Sequence, residues 1–319
     1  MLEIRELAFA GHQEAISHRF APGSITVVLG RNNSGKTWLA RSIAGLESSP
    51  SGTIWIDGQD VSQLGARDRR VGLVYQAFVN YPTLTVYQNI ASPLVALKRS
   101  REAIRQTVRE LAERLQIEAL LDRLPSELSG GQQQRVAIAR ALAQGGSVLV
   151  MDEPLVNLDY KLREELQLQL RDLLSSGELV VVYTTSDPQD AFKLGDEVLL
   201  LEAHRVLQGG PPLEVYREPK TLAIADLMSD PGVNVVDANT ALRPEHLALE
   251  RRAATDIEFQ AELVGLETNG SETFLHCQRD ARVWVVKLQG MVDIALGTAC
   301  ALFAHPADVL RFGEPRGGD

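Results

Sequence analysis

Polar and apolar positions change rhythm twice along this chain. Ile25–Gly30 (Ile-Thr-Val-Val-Leu-Gly) is an apolar run of strand length without a charge, the pattern of a strand buried on both faces. Val71–Tyr75, Val148–Met151 and Leu179–Tyr183 repeat it with β-branched residues. Between these runs the period becomes helical. Lys36–Leu46 is predicted as a helix, as is Glu102–Leu115, where Ile104, Val108, Leu111 and Leu115 share one face. Gly131–Leu142 continues the habit, and Tyr160–Leu174 has Leu162, Leu166 and Leu170 four residues apart. Short strands alternating with amphipathic helices predict an α/β fold with a helical insert. The rhythm shifts again after the turn signal Asp230-Pro-Gly. Ile257–Leu266, Thr273–Cys277 and Val283–Leu288 read as strands separated by Gly-containing turns. The expected organisation is a larger domain over 1–232 and a small β-rich domain over 233–319. Its strands fall within about Val235–Val309, and Glu314–Asp319 is expected to be a disordered tip.

Composition narrows the function. The 319 residues are 45% hydrophobic and 23% charged, enough apolar material for a proper core. A net charge of -10 argues against a nucleic-acid binder, which needs a basic footprint. Two cysteines, Cys277 and Cys300, form neither a disulfide framework nor a metal-ligand spacing, so a reducing compartment is expected. No apolar stretch approaches the roughly 20 residues that span a bilayer. The start, Met1-Leu-Glu-Ile-Arg-Glu-Leu, lacks a signal-peptide core. Of six histidines, none lies between His18 and His204.

Two segments carry phosphate chemistry. Gly30-Arg31-Asn32-Asn33-Ser34-Gly35-Lys36-Thr37 fits G-x-x-x-x-G-K-[ST], between a predicted strand and a predicted helix. Such a loop turns backbone N–H groups and a helix N-terminus toward phosphate, with Lys36 for the β/γ-phosphates and Thr37 for Mg²⁺. Val148–Met151 leads into Asp152 and Glu153, two acids at a strand's end. Asp152 suits Mg²⁺, and Glu153 suits polarisation of an attacking water.

Leu128-Ser129-Gly130-Gly131-Gln132, directly before a predicted helix, is the signature of ATP-binding cassette (ABC) ATPases, and the chain resembles that family. The resemblance implies a cassette followed by a small OB-like domain. It implies that Ser129, Gly130, Gly131 and Gln132 complete an ATP site on a second subunit. Gln76 sits where the family has its Mg²⁺-touching glutamine, and Asp159 lies in the interface loop Val156–Asp159. The segment from Ala77 to Asn89 is similar to the coupling region of maltose-type importers for sugars and polyols, and Leu242-Arg-Pro-Glu-His246 to the entry of their appended domain. Such subunits bind ATP and Mg²⁺. They sit on the cytoplasmic face of the membrane, held by two permease subunits, and serve an external binding protein indirectly.

The chain departs from the family near its own nucleotide. Ser186 occupies the position of the family's switch histidine, Trp38 replaces a second hydroxyl, and Asn33 stands where many relatives have glycine. The adenine-stacking aromatic is not evident; Phe9 and His12 are the candidates. The signature lent to a partner is intact, so the expectation is a non-identical pair with this chain's own site degenerate. Several phrases look most like ATP-binding subunits of glycerol importers. The alternative is a non-hydrolysing scaffold whose signature activates the partner. A soluble ABC protein acting on translation or DNA would carry two cassettes, long heptads or a basic surface, and none is present.

Overall fold

The computed structural model describes residues 1–12, 14–77, 79–156, 158–174 and 177–313. It divides into two compact units, Met1–Val215 and Tyr216–Asp319. The expected disordered tip, 314–319, lies outside the described residues.

The first unit runs β1 (Leu2–Ala8), β2 (Ala15–Phe20), β3 (Ile25–Leu29), α1 (Lys36–Ile43), β4 (Thr53–Ile56), β5 (Gln59–Asp60), α2 (Ala66–Arg69) and β6 (Gly72–Val74). It continues through α3 (Val86–Ala96), α4 (Arg101–Arg114), α5 (Gly130–Ala143), β7 (Val148–Asp152), α6 (Tyr160–Leu174), β8 (Val180–Thr185), α7 (Pro188–Leu194), β9 (Glu197–Glu202) and β10 (Arg205–Gly210). One sheet has the order β10-β9-β3-β8-β7-β6 and is parallel except for its β9–β10 hairpin. A second, antiparallel sheet has the order β2-β1-β4-β5.

The apolar runs read from the sequence are the inner strands of the parallel sheet. Every residue of β3, β7 and β8 is buried, as strands covered on both faces must be. Leu2, Ile4, Phe20, Val28, Leu39, Ile43, Val182 and Leu199 belong to one core that joins the two sheets and α1. Helix α1 stops at Ile43, short of the expected Leu46, because Gly45 turns left-handed at φ 76°. The insert helices are capped by their own sequences. The Ser100 hydroxyl accepts from the Ala103 N–H at α4, and Thr85 and Gln88 form a reciprocal capping box at α3. Helix α4 buries Ile104, Val108 and Leu111, the face its spacing predicted.

Helix α8 (Pro212–Arg217) leads from one unit into the other. The second unit contains α9 (Leu222–Leu227), β11 (Asn234–Val235), β12 (Thr240–Leu242), β13 (Leu247–Ala248), β14 (Ile257–Thr268), β15 (Glu272–Arg279), β16 (Arg282–Gln289), β17 (Ala299–Ala304) and β18 (Leu310–Arg311). Its antiparallel sheets have the orders β11-β12-β18 and β13-β17-β14-β15-β16. Phe259, Leu263, Leu275, Trp284 and Leu302 form its core. Cys277 and Cys300 are free thiols with Sγ atoms 4.0 Å apart, and burial pushes the Cys277 thiol up to about 12.

Candidate functional site

The site begins at the C-terminal ends of the parallel strands, where the backbone N–H groups of a following helix face outward. Strand β3 delivers Gly30 into the phosphate-loop motif, and α1 starts at Lys36. Two loop positions need left-handed backbone. Gly35 has φ 105°, and Asn33 takes φ 65°, which asparagine tolerates. Gly30 is required for space, since a Cβ there would fall 2.4 Å from the Leu201 carbonyl oxygen. Lys36 Nζ is buried and donates to the carbonyls of Gly30 at 2.7 Å and Arg31 at 3.0 Å. Glu153 Oε1 lies 3.2 Å from the same ammonium.

Asp152 ends β7, two strands away from β3 in the sheet, and β8 between them joins the two sides. Thr37 Oγ1 donates to Asp152 Oδ1 at 3.2 Å, and Thr184 Oγ1 donates to the same oxygen at 2.7 Å. Thr184 Oγ1 in turn accepts from the Glu153 N–H at 3.1 Å. One hydroxyl therefore fixes both acids. Glu153 is held at φ 45°, a region non-glycine residues seldom occupy. The paired Thr37 and Asp152 oxygens suit Mg²⁺, which takes one or two protein oxygens and completes its octahedron with phosphate and water. Ser34 Oγ is buried with no hydrogen-bond partner among the described residues, a further polar group placed for a ligand.

The phosphate loop and Glu153 line a cleft of about 720 Å³. Its polar lining is Asn32, Asn33, Ser34, Gly35, Lys36, Thr37, Gln76 and Glu153, and its aromatic lining is Phe9, Trp38 and His204. Phe9 meets Trp38 edge-on with centroids 5.1 Å apart, and His12 packs edge-on to Phe9 at 5.1 Å. Trp38 is largely buried in the core.

Ser186 lines a small separate recess of about 20 Å³ with Glu153, Arg163, Asp187 and Asp190, and no histidine shares it among the described residues. Behind it, buried Asp190 accepts from Arg163 Nη2 at 2.9 Å, Gln167 Nε2 at 2.5 Å and Thr185 Oγ1 at 2.6 Å. Tyr183 also donates to Asp190; burial, and then the Asp190 charge, raise this phenol well above its usual range.

Among the described residues, none of Leu128–Gln132, Val156, Leu158 or Asp159 lines this cleft. Ser129 is exposed and caps α5: its hydroxyl accepts from the Gln132 N–H at 3.4 Å, and Gln132 Oε1 accepts from the Ser129 N–H at 3.0 Å. Gly130 opens α5, and a Cβ on Gly131 would meet Leu162 Cδ2 at 2.5 Å. Asp159 accepts from the Leu162 N–H at 3.1 Å. Phe78 and Asn157, within the two segments that resemble the family, lie outside the described residues.

Sequence reading missed two residues of this site. Thr184 was signalled only by a hydroxyl in a buried strand that also carries Tyr183 and Thr185. His204 was signalled by a histidine, in place of a more permissive glycine, in a two-residue turn between strands.

Residues 14–156 match the family model described as ABC transporter. A sn-glycerol-3-phosphate import ATP-binding protein of Agrobacterium fabrum is 33% identical, over 94% of this chain and 94% of its own length. A spermidine/putrescine import ATP-binding protein of Mannheimia succiniciproducens is 35% identical, over 81% of this chain and 69% of its own. Among solved structures, cbiO1 from Clostridium perfringens, part of an ABC transporter complex, is 28% identical with a TM-score of 0.63, covering 71% of this chain and 94% of its own. A dimeric ATP-binding cassette in a post-hydrolysis state, bound to ADP and Pi, is 28% identical with a TM-score of 0.58, covering 66% of this chain and 99% of its own. No described helix is long and apolar enough to cross a membrane. The phosphate loop on β3, the paired acids after β7 and the capped signature on α5 thus sit on the fold of these relatives, and the chain belongs to the ABC transporter ATP-binding family.

Proposed function

We propose that this chain is the ATP-binding subunit of a bacterial importer for glycerol or a related sugar or polyol, working beside a second, non-identical ATPase subunit. In this reading it docks on two permease subunits at the cytoplasmic face of the membrane and meets neither nucleic acid nor, directly, the external binding protein. Residues 1–232 form the nucleotide-binding part, and 233–319 form an accessory transport-associated domain. The names of relatives that import sn-glycerol-3-phosphate support the cargo class.

Lys36 exchanges its contact with Glu153 for the β/γ-phosphates as the nucleotide enters, and the freed carboxylate polarises water. A bound Mg²⁺, held by Thr37 and Asp152 with Gln76 alongside, would neutralise phosphate charge. Thr184 keeps Asp152 and Glu153 in fixed relation while Glu153 changes partners. Ser129, Gly131 and Gln132 serve the partner's nucleotide, and Asp159 lies at the same interface.

The observation that carries the asymmetric reading is Ser186 beside Glu153, where the family places a histidine. A serine hydroxyl is too short to bridge phosphate, water and Glu153 as an imidazole does. The test substitutes Glu153→Gln in this chain and the equivalent acid in the partner, and follows ATP hydrolysis by the assembled pair. A large loss from the partner's substitution with a smaller, measurable loss from Glu153→Gln supports asymmetry, whereas equal loss from both refutes it. The alternative, a non-hydrolysing scaffold, is favoured by Ser186 and by Trp38, whose ring fills core space in place of a hydroxyl. It requires that Glu153→Gln leave turnover unchanged.

A further inference from the structure

We propose that Cys277 and Cys300, in the second compact unit, form a two-thiolate site for a soft monovalent cation of the Cu(I) or Ag(I) kind. Their separation along the chain has no metal-ligand spacing; the sheet brings them together. Strand β14 lies between β15 and β17, pairing Leu263 with Cys277 on one side and Ala261 with Cys300 on the other. Ala261 and Leu263 are two residues apart and share a face, so both cysteines project from that same face. It is the core face: Cys277 is fully buried with Leu263 and Trp284, and Cys300 packs against the same cluster. The two Sγ atoms end 4.0 Å apart.

Distance decides between two chemistries. A disulfide needs Cα atoms within about 7 Å of each other. These cysteines are two strand spacings apart, roughly 9–10 Å across the backbone, with β14 in between. An S–S bond would have to displace a strand that is paired on both sides. A metal ion spans what a disulfide cannot. With thiolate–metal bonds of about 2.3 Å, two sulfurs on one ion are about 3.8 Å apart at a tetrahedral angle and about 4.6 Å apart in a straight line. The observed 4.0 Å lies inside that interval.

Ligand number and type narrow the ion. Among the described residues, no three or more His, Cys, Asp or Glu side chains group to hold a metal, so the four ligands of structural zinc are not assembled here. Two thiolates in an apolar core suit a soft d¹⁰ monocation, which accepts two-fold coordination, and are unsuited to hard, oxygen-seeking ions. Binding breaks two S–H bonds, forms two S–metal bonds and releases two protons to solvent; no oxidation state changes. The resulting bis-thiolate carries one negative charge. Arg279 follows Cys277 by two residues along β15, with its guanidinium 4.6 Å from the Trp284 ring centroid and 5.1 Å from that of Phe259. A cation is thus already placed against this core to offset that charge. Cys300 is the less buried of the pair and gives the ion its way in.

The test titrates the full chain with Cu(I) against the chelator bicinchoninate under anaerobic conditions, with near-UV circular dichroism recorded alongside. The wild type is expected to withdraw one equivalent and to keep the dichroism of its folded core. Cys277→Ala and Cys300→Ala should each weaken binding at least ~100-fold, beyond the 10- to 100-fold cost of changes outside the ligand set. Either variant suffices if the other fails to fold. No uptake by the wild type, or affinity within tenfold of wild type in a folded single variant, overturns the proposal. Uptake that proceeds only with loss of the near-UV signal also overturns it, since the thiols are then reached by unfolding. Mild treatment with hydrogen peroxide should leave both thiols titratable. If it instead joins Cys277 to Cys300, with two thiols lost and peroxide reduced to water, the backbones are close enough for a disulfide and the proposal falls.

Discussion

Replacing Thr184 by valine tests whether one buried hydroxyl holds the two acids of the site. Valine matches threonine in shape, so the change removes hydrogen bonds without opening a cavity. The Thr184 hydroxyl gives Asp152 Oδ1 its shorter bond, 2.7 Å, and Thr184 is fully buried. A hydrogen bond to a charged group contributes about 1.5–3 kcal/mol. The second bond, from the Glu153 N–H, contributes little extra, because that N–H also reaches the Thr184 carbonyl at 3.1 Å. Asp152 keeps Thr37 at 3.2 Å, so it is weakened and not orphaned. These terms place the loss at about 2 kcal/mol, which for a unit of this size lowers the melting temperature by ~4–8 °C. Thermal unfolding of the full chain by far-UV circular dichroism reads the shift. Thr184→Ser keeps the hydroxyl and should recover most of it. A Thr184→Val loss below ~0.5 kcal/mol, or a serine variant no better than valine, would falsify the assigned role.

Further outcomes follow from other contacts. Asp190→Ala removes the acceptor shared by Arg163, Gln167 and Thr185, and should cost about 3 kcal/mol, the lower end for breaking a buried pair, because Arg163 retains Asp187 at 2.8 Å; urea denaturation measures it. Ser186→His should raise hydrolysis at this chain's own site by about 10²–10³-fold, by comparison with restoring one oriented transition-state donor, as read in a coupled phosphate-release assay of the pair. Hydrogen bonds from Arg5 and Arg19 lower the Glu3 carboxyl from 4.5 to about 2, so its stabilising contribution is complete above pH 4.5 and disappears as pH falls through 2. Melting curves of Glu3→Gln between pH 2 and 6 should therefore be flatter than those of the wild type.

Much of the fold was legible because burial on two faces leaves an unmistakable pattern. Val148–Asp152 and Val180–Thr185 could hardly read as anything but inner strands, and α6 has the bounds its leucine spacing gave. The phosphate loop was legible for a related reason: local geometry dictates glycine, lysine and threonine at fixed spacing. Contacts between distant segments left no such trace. Thr184 reaches Asp152 across 32 positions, and His204 reaches Phe9 across nearly the whole first unit. Nothing in a strand's own periodicity says which neighbour its terminal hydroxyl will meet. Among the described residues, the recess around Ser186 is lined without a histidine. The histidine count was silent on the fold returning His204 to the phosphate loop at Ser34.

The self-capped start of α5 has a mechanical consequence. Ser129 and Gln132 already satisfy each other's backbone N–H groups, so this helix end is ordered before anything approaches it. An anion arriving there exchanges one acceptor for another and has no loop to freeze. The entropy of ordering was spent during folding, so a complementary surface meets a finished template and can leave it as readily as it came. A motor that must engage and release in every cycle gains from such a contact, since neither stroke has to fold or melt a helix.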